Sequence, residues 1–316
     1  MAKQALKGAA LQPGQTIGVI APSAPAAKER LEAGLEYIRQ QGFKVRVELD
    51  PAANYGSSKY MFSSDSAKAR ARGLHALYKD KSVRAIISAR GAYGSMEILP
   101  LLDFKLLKKN PKPFIGFSDS TALLLSIYSK AGMVTVHGPS VESMGKAFEN
   151  PKARANAEAL FELLRGETRN TMTDFETYRF IRKGDIKAPL LVGNLSIFTA
   201  LMGTPYEPDF SGHIICFEES DERPFRIHRA LLQMKLAGKF KRVKAVVLGS
   251  FKNCVHAKGL GPTVEDVFRD IFQDQKFPVV SAAPFGHDED NRALPLGVRA
   301  RLSGNKLELL ELPVLD

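Results

Sequence analysis

The first half of the chain alternates short apolar runs with helical segments, and this alternation restricts the fold more than any other feature. Residues 16–21 (TIGVIA) are apolar and rich in β-branched side chains, which marks a buried strand. Pro22 and Pro25 punctuate the turn behind it. Residues 28–41 then carry Leu31, Leu35 and Ile38 at helical spacing, and Gly42 stands where a left-handed residue would end the helix. Residues 43–49, 83–88, 114–117 and 134–137 read as further strands. The stretches 65–79, 96–102 and 119–130 read as helices between them, with Asp65 expected as the cap of the first. A polar segment rich in Ser and Tyr, 54–64, precedes that helix. Strands alternating with helices form a mostly parallel sheet covered on both faces. Such a sheet binds ligands just beyond the carboxyl ends of its strands, so chemistry is to be sought there.

Beyond residue 150 the pattern changes. Residues 151–165 read as a helix ending at Gly166, and the polar stretch 167–179 as a linker or an exposed strand pair. Strands are expected at 213–218, 243–249 and 278–282, and helices at 225–236 and 263–272. A hairpin of 298–302 and 306–312, turned by Ser303, Gly304 and Asn305, closes the chain. The expected fold is α/β. It has a Rossmann-like, mostly parallel N-terminal domain (1–150), a connection (151–180) and a smaller mixed-sheet C-terminal domain (181–316). A length of 316 residues suits two domains, and 44% hydrophobic with 25% charged residues is an ordinary globular balance.

The formal net charge of +11, from 45 basic and 34 acidic residues, would suit nucleic acid, an anionic membrane or an acidic substrate. The basic residues are scattered, as in Lys105, Lys108, Lys109 and Lys112, or Lys239, Lys241, Arg242 and Lys244. No basic run interleaves with aromatics, so nucleic acid is not an expected partner, and a solvated surface with a weak pull on anions is. Cys216 and Cys254 have neither CxxC spacing nor a nearby His pair, which argues against a zinc site or a disulfide framework. Cys216, inside an apolar run, reads as a buried thiol. No window of membrane-spanning length is free of charge, and the first residues lack a signal-peptide apolar stretch. A cytoplasmic protein with reduced thiols and no membrane partner is expected.

The strand 114–117 runs straight into Ser118 and a helix. A hydroxyl at such a corner lies beside unpaired helix amides, which suits a nucleophile with an oxyanion donor from the next residue. The pattern is near G-x-S-x-G, with Ser120 in place of the last glycine. The plainer reading is that Ser118 or Asp119 only caps the helix. A reactive serine needs a base. Of His75, His137, His213, His228, His256 and His287, two follow strands at the right edge, His137 and His287, and local sequence does not separate them. Glu218 ends an apolar run, where a carboxylate needs a partner, while Glu219, Asp221 and Glu222 read as a solvated loop. The turn Arg90-Gly91-Ala92-Tyr93-Gly94 lets backbone approach a ligand and can supply a second oxyanion amide. Asn194 is another polar group behind an apolar run.

Seven short motifs occur in order: Ala21-Pro22-Ser23, Arg90-Gly91-Ala92-Tyr93-Gly94, Gly116-Phe117-Ser118-Asp119, His137-Gly138-Pro139, Gly193-Asn194-Leu195, Phe217-Glu218-Glu219 and Pro284-Phe285-Gly286-His287. Together, over about residues 15–302, they resemble the LD-carboxypeptidase family of serine peptidases, S66, which also includes microcin C immunity hydrolases. The resemblance implies a triad of Ser118 as nucleophile, Glu218 as acid and His287 as base. It implies an oxyanion hole from the backbone amides of Ala92 and Asp119. Ala92 departs from the family pattern, which has glycine there, and a donor survives that change unless φ must be positive. The implied substrate is an anionic murein tetrapeptide that loses its terminal D-alanine, in peptidoglycan recycling. Arg90, Gly91, Tyr93, Asn194 and Arg226 are the candidate substrate-contacting residues, with Arg90 or Arg226 pairing with carboxylates. No metal or cofactor is implied, and a homodimer is. The resemblance leaves room for an immunity-type hydrolase of peptidyl or aminoacyl nucleotides. Members of that type carry an aromatic, often Trp, against the base, and this chain has no Trp. A non-catalytic two-domain protein that binds a small ligand is the alternative outside the family.

Overall fold

Ile17, Val19 and Ile20 have no exposed surface, so the first apolar run belongs in a sheet covered on both faces. The computed structural model describes residues 4–48, 62–168, 179–182, 184–256, 259, 261–304 and 306–315. Of the segments read above, 54–61, 169–178, Leu49 and Asn305 lie outside the described residues. The first half runs β1 (Thr16–Ile20), α1 (Lys28–Gln40), β2 (Lys44–Glu48), α2 (Ala67–Lys79), β3 (Val83–Ser88), α3 (Ser95–Ile98), α4 (Phe104–Lys109), β4 (Phe114–Gly116), α5 (Thr121–Ser126), β5 (Thr135–His137), α6 (Val141–Met144) and α7 (Pro151–Arg165). The second runs β6 (Arg179–Arg182), β7 (Asp185–Asn194), α8 (Leu195–Leu201), β8 (Ile214–Ser220), α9 (Pro224–Leu236), β9 (Ala245–Lys252), α10 (Val264–Phe272), β10 (Val279–Ser281), β11 (Leu294–Leu296), β12 (Arg299–Ser303) and β13 (Lys306–Leu309).

Two sheets form among the described residues. The first has six strands in the order β11-β5-β4-β3-β1-β2, all parallel except β11. The second has seven, β13-β12-β7-β8-β9-β10-β6, with a parallel centre β7 to β10 and antiparallel flanks. The mixed second sheet and the mostly parallel first one match the expected α/β architecture. The closing hairpin is β12 and β13.

Several local details differ from the sequence reading, each for a physical reason. Ser66, not Asp65, caps α2: its Oγ accepts from Ala69 N at 3.2 Å, while Asp65 Oδ1 accepts from Ser66 N. The helix expected over 119–130 is three pieces: a 3₁₀ turn at Ser118–Ser120, α5, and a π turn at Ile127–Ala131 that ends on Gly132. Lys112, expected on the solvated surface, is buried. Its Nζ donates to the Leu77 and Asp80 carbonyls at 3.0 and 2.7 Å, and burial lowers its pKa to about 8.

Of the connection expected over 151–180, α7 packs on the first unit, and Arg179 and Phe180 belong to β6 of the second sheet. The apolar face of α7, with Leu160, Phe161, Leu163 and Leu164, is fully buried, and Phe161 stacks on Phe43 at 5.5 Å. The strand β11, from the second half, pairs with β5 and completes the first sheet. Pro295 is tolerated there because β11 is the edge strand. Near the ends of the chain, Leu6 bridges to Met133 and Ala9 to Leu315. Where α1 meets α6, a Cβ on Gly34 would overlap the Val141 carbonyl and one on Gly145 would overlap the Arg30 carbonyl. Only glycine permits that approach.

Candidate active site

The carboxyl ends of strands from both sheets meet at one place. From the first sheet come the loop after β1 with Ser23, the turn Arg90–Gly94 after β3, Ser118 after β4, and His137 at the end of β5. From the second come Asn194 at the end of β7, Glu218 in β8, and the loop after β10 with His287. Strand order reverses around β1 and β3, the topological position where open α/β sheets bind ligands.

Ser118 stands on a sharp elbow. Its φ is 59°, in the left-handed region, so the chain turns abruptly from β4 into the 3₁₀ turn. Gly116 makes this possible, since a Cβ there would come within 2.8 Å of Ser120 Cβ and 3.1 Å of Ser88 Cβ. Gly91 lies directly over the elbow: a Cβ there would sit 2.9 Å from Ser118 Cβ and 3.3 Å from its Oγ. The next residue, Ala92, has φ of 75°, the conformation for which the family pattern supplies glycine. Among the described residues the Ser118 hydroxyl makes no hydrogen bond, so it is not bonded to His287. Serine–base bonds in unliganded enzymes are often long and tighten around substrate.

Glu218 and the half-buried His287 form a hydrogen-bonded pair. Nδ1 of His287 donates to Glu218 Oε2 at 2.5 Å, and Glu218 has no exposed surface. Gly286, with φ of 118°, brings the loop against the acid: a Cβ there would sit 2.8 Å from Glu218 Cβ and 3.0 Å from its Oε2. Burial opposes charge on Glu218, but His287 first and then His137 outweigh it, and its pKa falls to about 2. Burial likewise opposes charge on His287, and the Glu218 carboxylate, aided by Glu219 and Asp221, overrides it and raises the ring's pKa. Phe117 packs against the imidazole with ring centroids 5.1 Å apart, which brings His287 alongside the elbow.

His137, the other candidate base, is fully buried between the rings of Phe117 and Phe285. Its Nε2 lies 3.8 Å from Glu218 Oε1, beyond a hydrogen bond, and neither ring nitrogen has a partner among the described residues. It approaches Oε1 of the acid, whereas His287 bonds Oε2.

The remaining candidate residues divide by exposure. Tyr93 is 55% exposed, with its ring edge-on to Phe62 at 5.5 Å. Arg90 pairs with Glu142 at 3.3 Å and donates to the Pro25 carbonyl at 3.3 Å. Arg226 is exposed on α9 and pairs with Glu222 at 3.6 Å. Asn194 is 5% exposed: its Oδ1 caps α8 by accepting from Ile197 N, and its Nδ2 donates to Glu219 Oε1 at 2.7 Å. Glu219 is thus not in a solvated loop. Strand β8 continues to Ser220, and Glu219 is 3% exposed, held by Asn194, Ser196 N and Ser220 N.

Other side chains at the site escaped the sequence reading. Lys252 Nζ donates to the His287 carbonyl at 3.2 Å. Thr121 Oγ1 accepts from Asn194 N at 3.0 Å and so ties α5 to the second sheet. A small cavity of about 240 Å³ opens beside His287, lined by Phe117, Lys146, Asn156, Lys252 and Asn291. A larger one of about 800 Å³, around Phe251, His256 and Phe268, touches none of the expected site residues. No group of three or more His, Cys, Asp or Glu side chains suited to a metal ion occurs among the described residues. No described helix is long and apolar enough to cross a membrane.

Comparison with known proteins bears on this geometry. Residues 17–138 match the model of the LD-carboxypeptidase N-terminal domain, and residues 187–302 that of the C-terminal domain. A probable murein peptide carboxypeptidase of Bacillus subtilis is 32% identical over 300 residues, covering 94% of this chain and 91% of that protein. The microcin C7 self-immunity protein MccF, solved with aspartyl sulfamoyl adenosine, superposes with a TM-score of 0.89 at 26% identity, covering 98% of this chain and 100% of that one. The muramoyltetrapeptide carboxypeptidase of Oxalobacter formigenes gives a TM-score of 0.79 at 26% identity, covering 92% and 98%. One family accounts for both halves of the sequence, and the chain belongs to the LD-carboxypeptidase family of serine peptidases.

Proposed function

We propose that this protein is a serine carboxypeptidase that removes the terminal D-alanine from murein tetrapeptides, with Ser118 as nucleophile, His287 as base and Glu218 as the acid that orients it. The observation that carries this reading is the 2.5 Å hydrogen bond from His287 to the buried Glu218, beside a serine on a strained strand-to-helix elbow. His287 takes the Ser118 proton as Oγ attacks the scissile carbonyl carbon. The Ala92 and Asp119 amides receive the oxyanion. The D-alanine amine leaves with the proton from His287, and water, deprotonated by the same ring, releases the shortened peptide. Glu218 keeps the ring in the tautomer with its Nε2 free to accept and offsets its positive charge. In this reading Gly91 and Tyr93 line the substrate path and Arg90 or Arg226 pairs with its carboxylates, while Asn194, expected there as well, is buried and braces Glu219.

The test is release of D-alanine from a synthetic murein tetrapeptide, followed by mass spectrometry. Ser118→Ala should lower turnover by at least about 10³-fold while the protein still binds the peptide. Turnover retained in that variant would remove Ser118 from the mechanism. No turnover in either form, with unchanged affinity, would favour a binding protein instead.

The match to the MccF structure bound to aspartyl sulfamoyl adenosine supports a second reading, hydrolysis of aminoacyl nucleotides. Comparing rates on the tetrapeptide and on an aminoacyl sulfamoyl adenosine decides between them. We further propose a cytoplasmic homodimer acting in peptidoglycan recycling. Sedimentation of the purified chain and fractionation of producing cells test those two attributes.

A further inference from the structure

The two amides assigned to the oxyanion hole, those of Ala92 and Asp119, come from different loops, one behind β3 and one behind β4. Loops set no fixed separation by themselves, so other contacts must fix the distance between the two donors. Asp119 makes those contacts with its side chain. It is 5% exposed, and its Oδ2 accepts from Ser95 N at 2.8 Å and from Ser23 Oγ at 2.6 Å. Ser95 Oγ donates in return to the Asp119 carbonyl at 2.6 Å. Ser95 lies just beyond the Ala92 turn, across Gly94 with its φ of 118°. A reciprocal pair of hydrogen bonds therefore joins the turn to the elbow, and Ser23 fastens the loop after β1 to the same oxygen. The fully buried Arg70 holds the turn from outside. Its Nη1 donates to the Gly94 and Pro22 carbonyls at 2.8 and 2.6 Å, and its Nη2 pairs with Glu97.

A carboxylate beside a helix start ordinarily caps that helix, but Asp119 does not cap its own. Neither the 3₁₀ turn at Ser118–Ser120 nor α5 receives a side-chain capping bond. The Asp119 carboxylate points backward, to the two neighbouring strand-end loops. Resting on the assignment of Ser118 as nucleophile, we propose that the Asp119 side chain is a positioning residue. It fixes the Ala92 turn against the elbow so that both amides converge on one point. Bonds from a carboxylate to N–H and O–H donors are charge-assisted, and their burial shields them from competing water. A hole preorganised in this way costs no rearrangement when the oxyanion forms.

Asp119→Ala, Asp119→Asn and Ser95→Ala in the full chain test this, by kcat, KM and the pH dependence of tetrapeptide hydrolysis. Asp119→Ala should lower kcat by about 10- to 100-fold, the scale of a donor displaced by a fraction of an ångström to 1 Å. KM should stay within about threefold and the pH midpoint set by His287 should not move, because substrate binding and the base are untouched. Asp119→Asn keeps an acceptor for Ser23 and Ser95 and should recover kcat to within about fivefold of the parent. Ser95→Ala, which loses one of the two reciprocal bonds, should fall between. Full kcat in Asp119→Ala, equal losses in the Asn and Ala variants, or a loss carried by KM would each overturn the proposal. If Asp119→Ala does not fold, Ser23→Ala and Ser95→Ala carry the test, and unchanged kcat in both overturns it. If the parent releases no D-alanine, the substrate assignment fails separately. The rate at which a fluorophosphonate labels Ser118 then reads the same two amides, and slower labelling in Asp119→Ala supports the clamp while equal labelling refutes it.

Discussion

Ser118 and Ala92 both adopt a backbone conformation that side chains disfavour, with φ of 59° and 75°. Strain of this kind persists only where the surroundings impose it, and it gathers at functional sites. Relieving it should stabilise the protein. Ser118→Gly should melt above Ser118→Ala, by about 1 kcal/mol or roughly 2 °C, although neither turns over substrate. Ala92→Gly should raise the melting temperature by a similar small step and keep activity, since the amide donor remains. At the same scale, the Glu218–His287 pair sets the pH response. The base must be neutral to act, and its pKa is raised from 6.5, so kcat/KM should rise with pH through a midpoint above 6.5. Glu218→Gln should move that midpoint down and lower kcat by about 10⁴-fold. The pair also couples folding to pH. The contribution from His287 is complete below 6.5 and fades as pH climbs through its raised folded pKa. The contribution from Glu218 is present above 4.5 and fades as pH falls toward about 2. Denaturant unfolding at several pH values, with and without Glu218→Gln, reads both edges. Ser118, Glu218 and His287 were legible as polar residues at strand ends, and their assignment to one site came from the order of the seven motifs. Glu219 and Lys112 were misread because their burial is decided elsewhere: Asn194 and Ser196 cover one, and the Leu77 and Asp80 carbonyls hold the other.

Among the elements, periodicity served where a segment was long enough to show it. The amphipathic α1 and α7 emerged within a residue of their bounds. The helix read over 96–102 is α3 and the 3₁₀ turn behind it, but the four-residue α6 is too short to display a repeat, and the three-residue β11 resembles any loop containing proline. Yet α6 is packed as tightly as any longer helix. It crosses α1 with Gly34 against the Val141 carbonyl, and Gly145 beyond its end meets Arg30 in the same way. Gly34→Ala should therefore destabilise by about 3 kcal/mol, or roughly 6 °C, although alanine favours helix. A thermal melt checks this, and a rise in melting temperature would mean that the crossing relaxes freely. The elbow shows the opposite case: the expected continuous helix opens with a 3₁₀ turn where Ser118 enters at positive φ, and it closes with a π turn.

Across the whole molecule, the site exists only where the two sheets are held in register, and Gly193 is central to that. A Cβ on Gly193 would overlap the Thr121 side chain, while the next amide, Asn194 N, donates to Thr121 Oγ1 at 3.0 Å. Gly193→Ala should wedge the second sheet, with Glu218 and His287, away from the elbow and lower kcat at least tenfold. Thr121→Ser removes the obstructing methyl and keeps the hydroxyl, so the double variant should regain much of that loss. Kinetics of the four proteins would show this as strong coupling, and simple additivity would rule the wedge out. The alternation of strands and helices foretold both sheets but not their interlacing. Contacts between residues 150 positions apart leave no trace in local pattern.

Because Leu294–Leu296 completes a sheet begun at the opposite end of the chain, neither half is a portable module. A fragment stopping at residue 150 would display a bare hydrogen-bonding rim along Thr135–His137 and the hydrophobic floor from which α7 had been stripped. Exposed rims of that kind recruit other chains and precipitate. Swapping halves between relatives should therefore yield soluble protein only when the Leu294–Leu296 strand travels with the half whose sheet it closes.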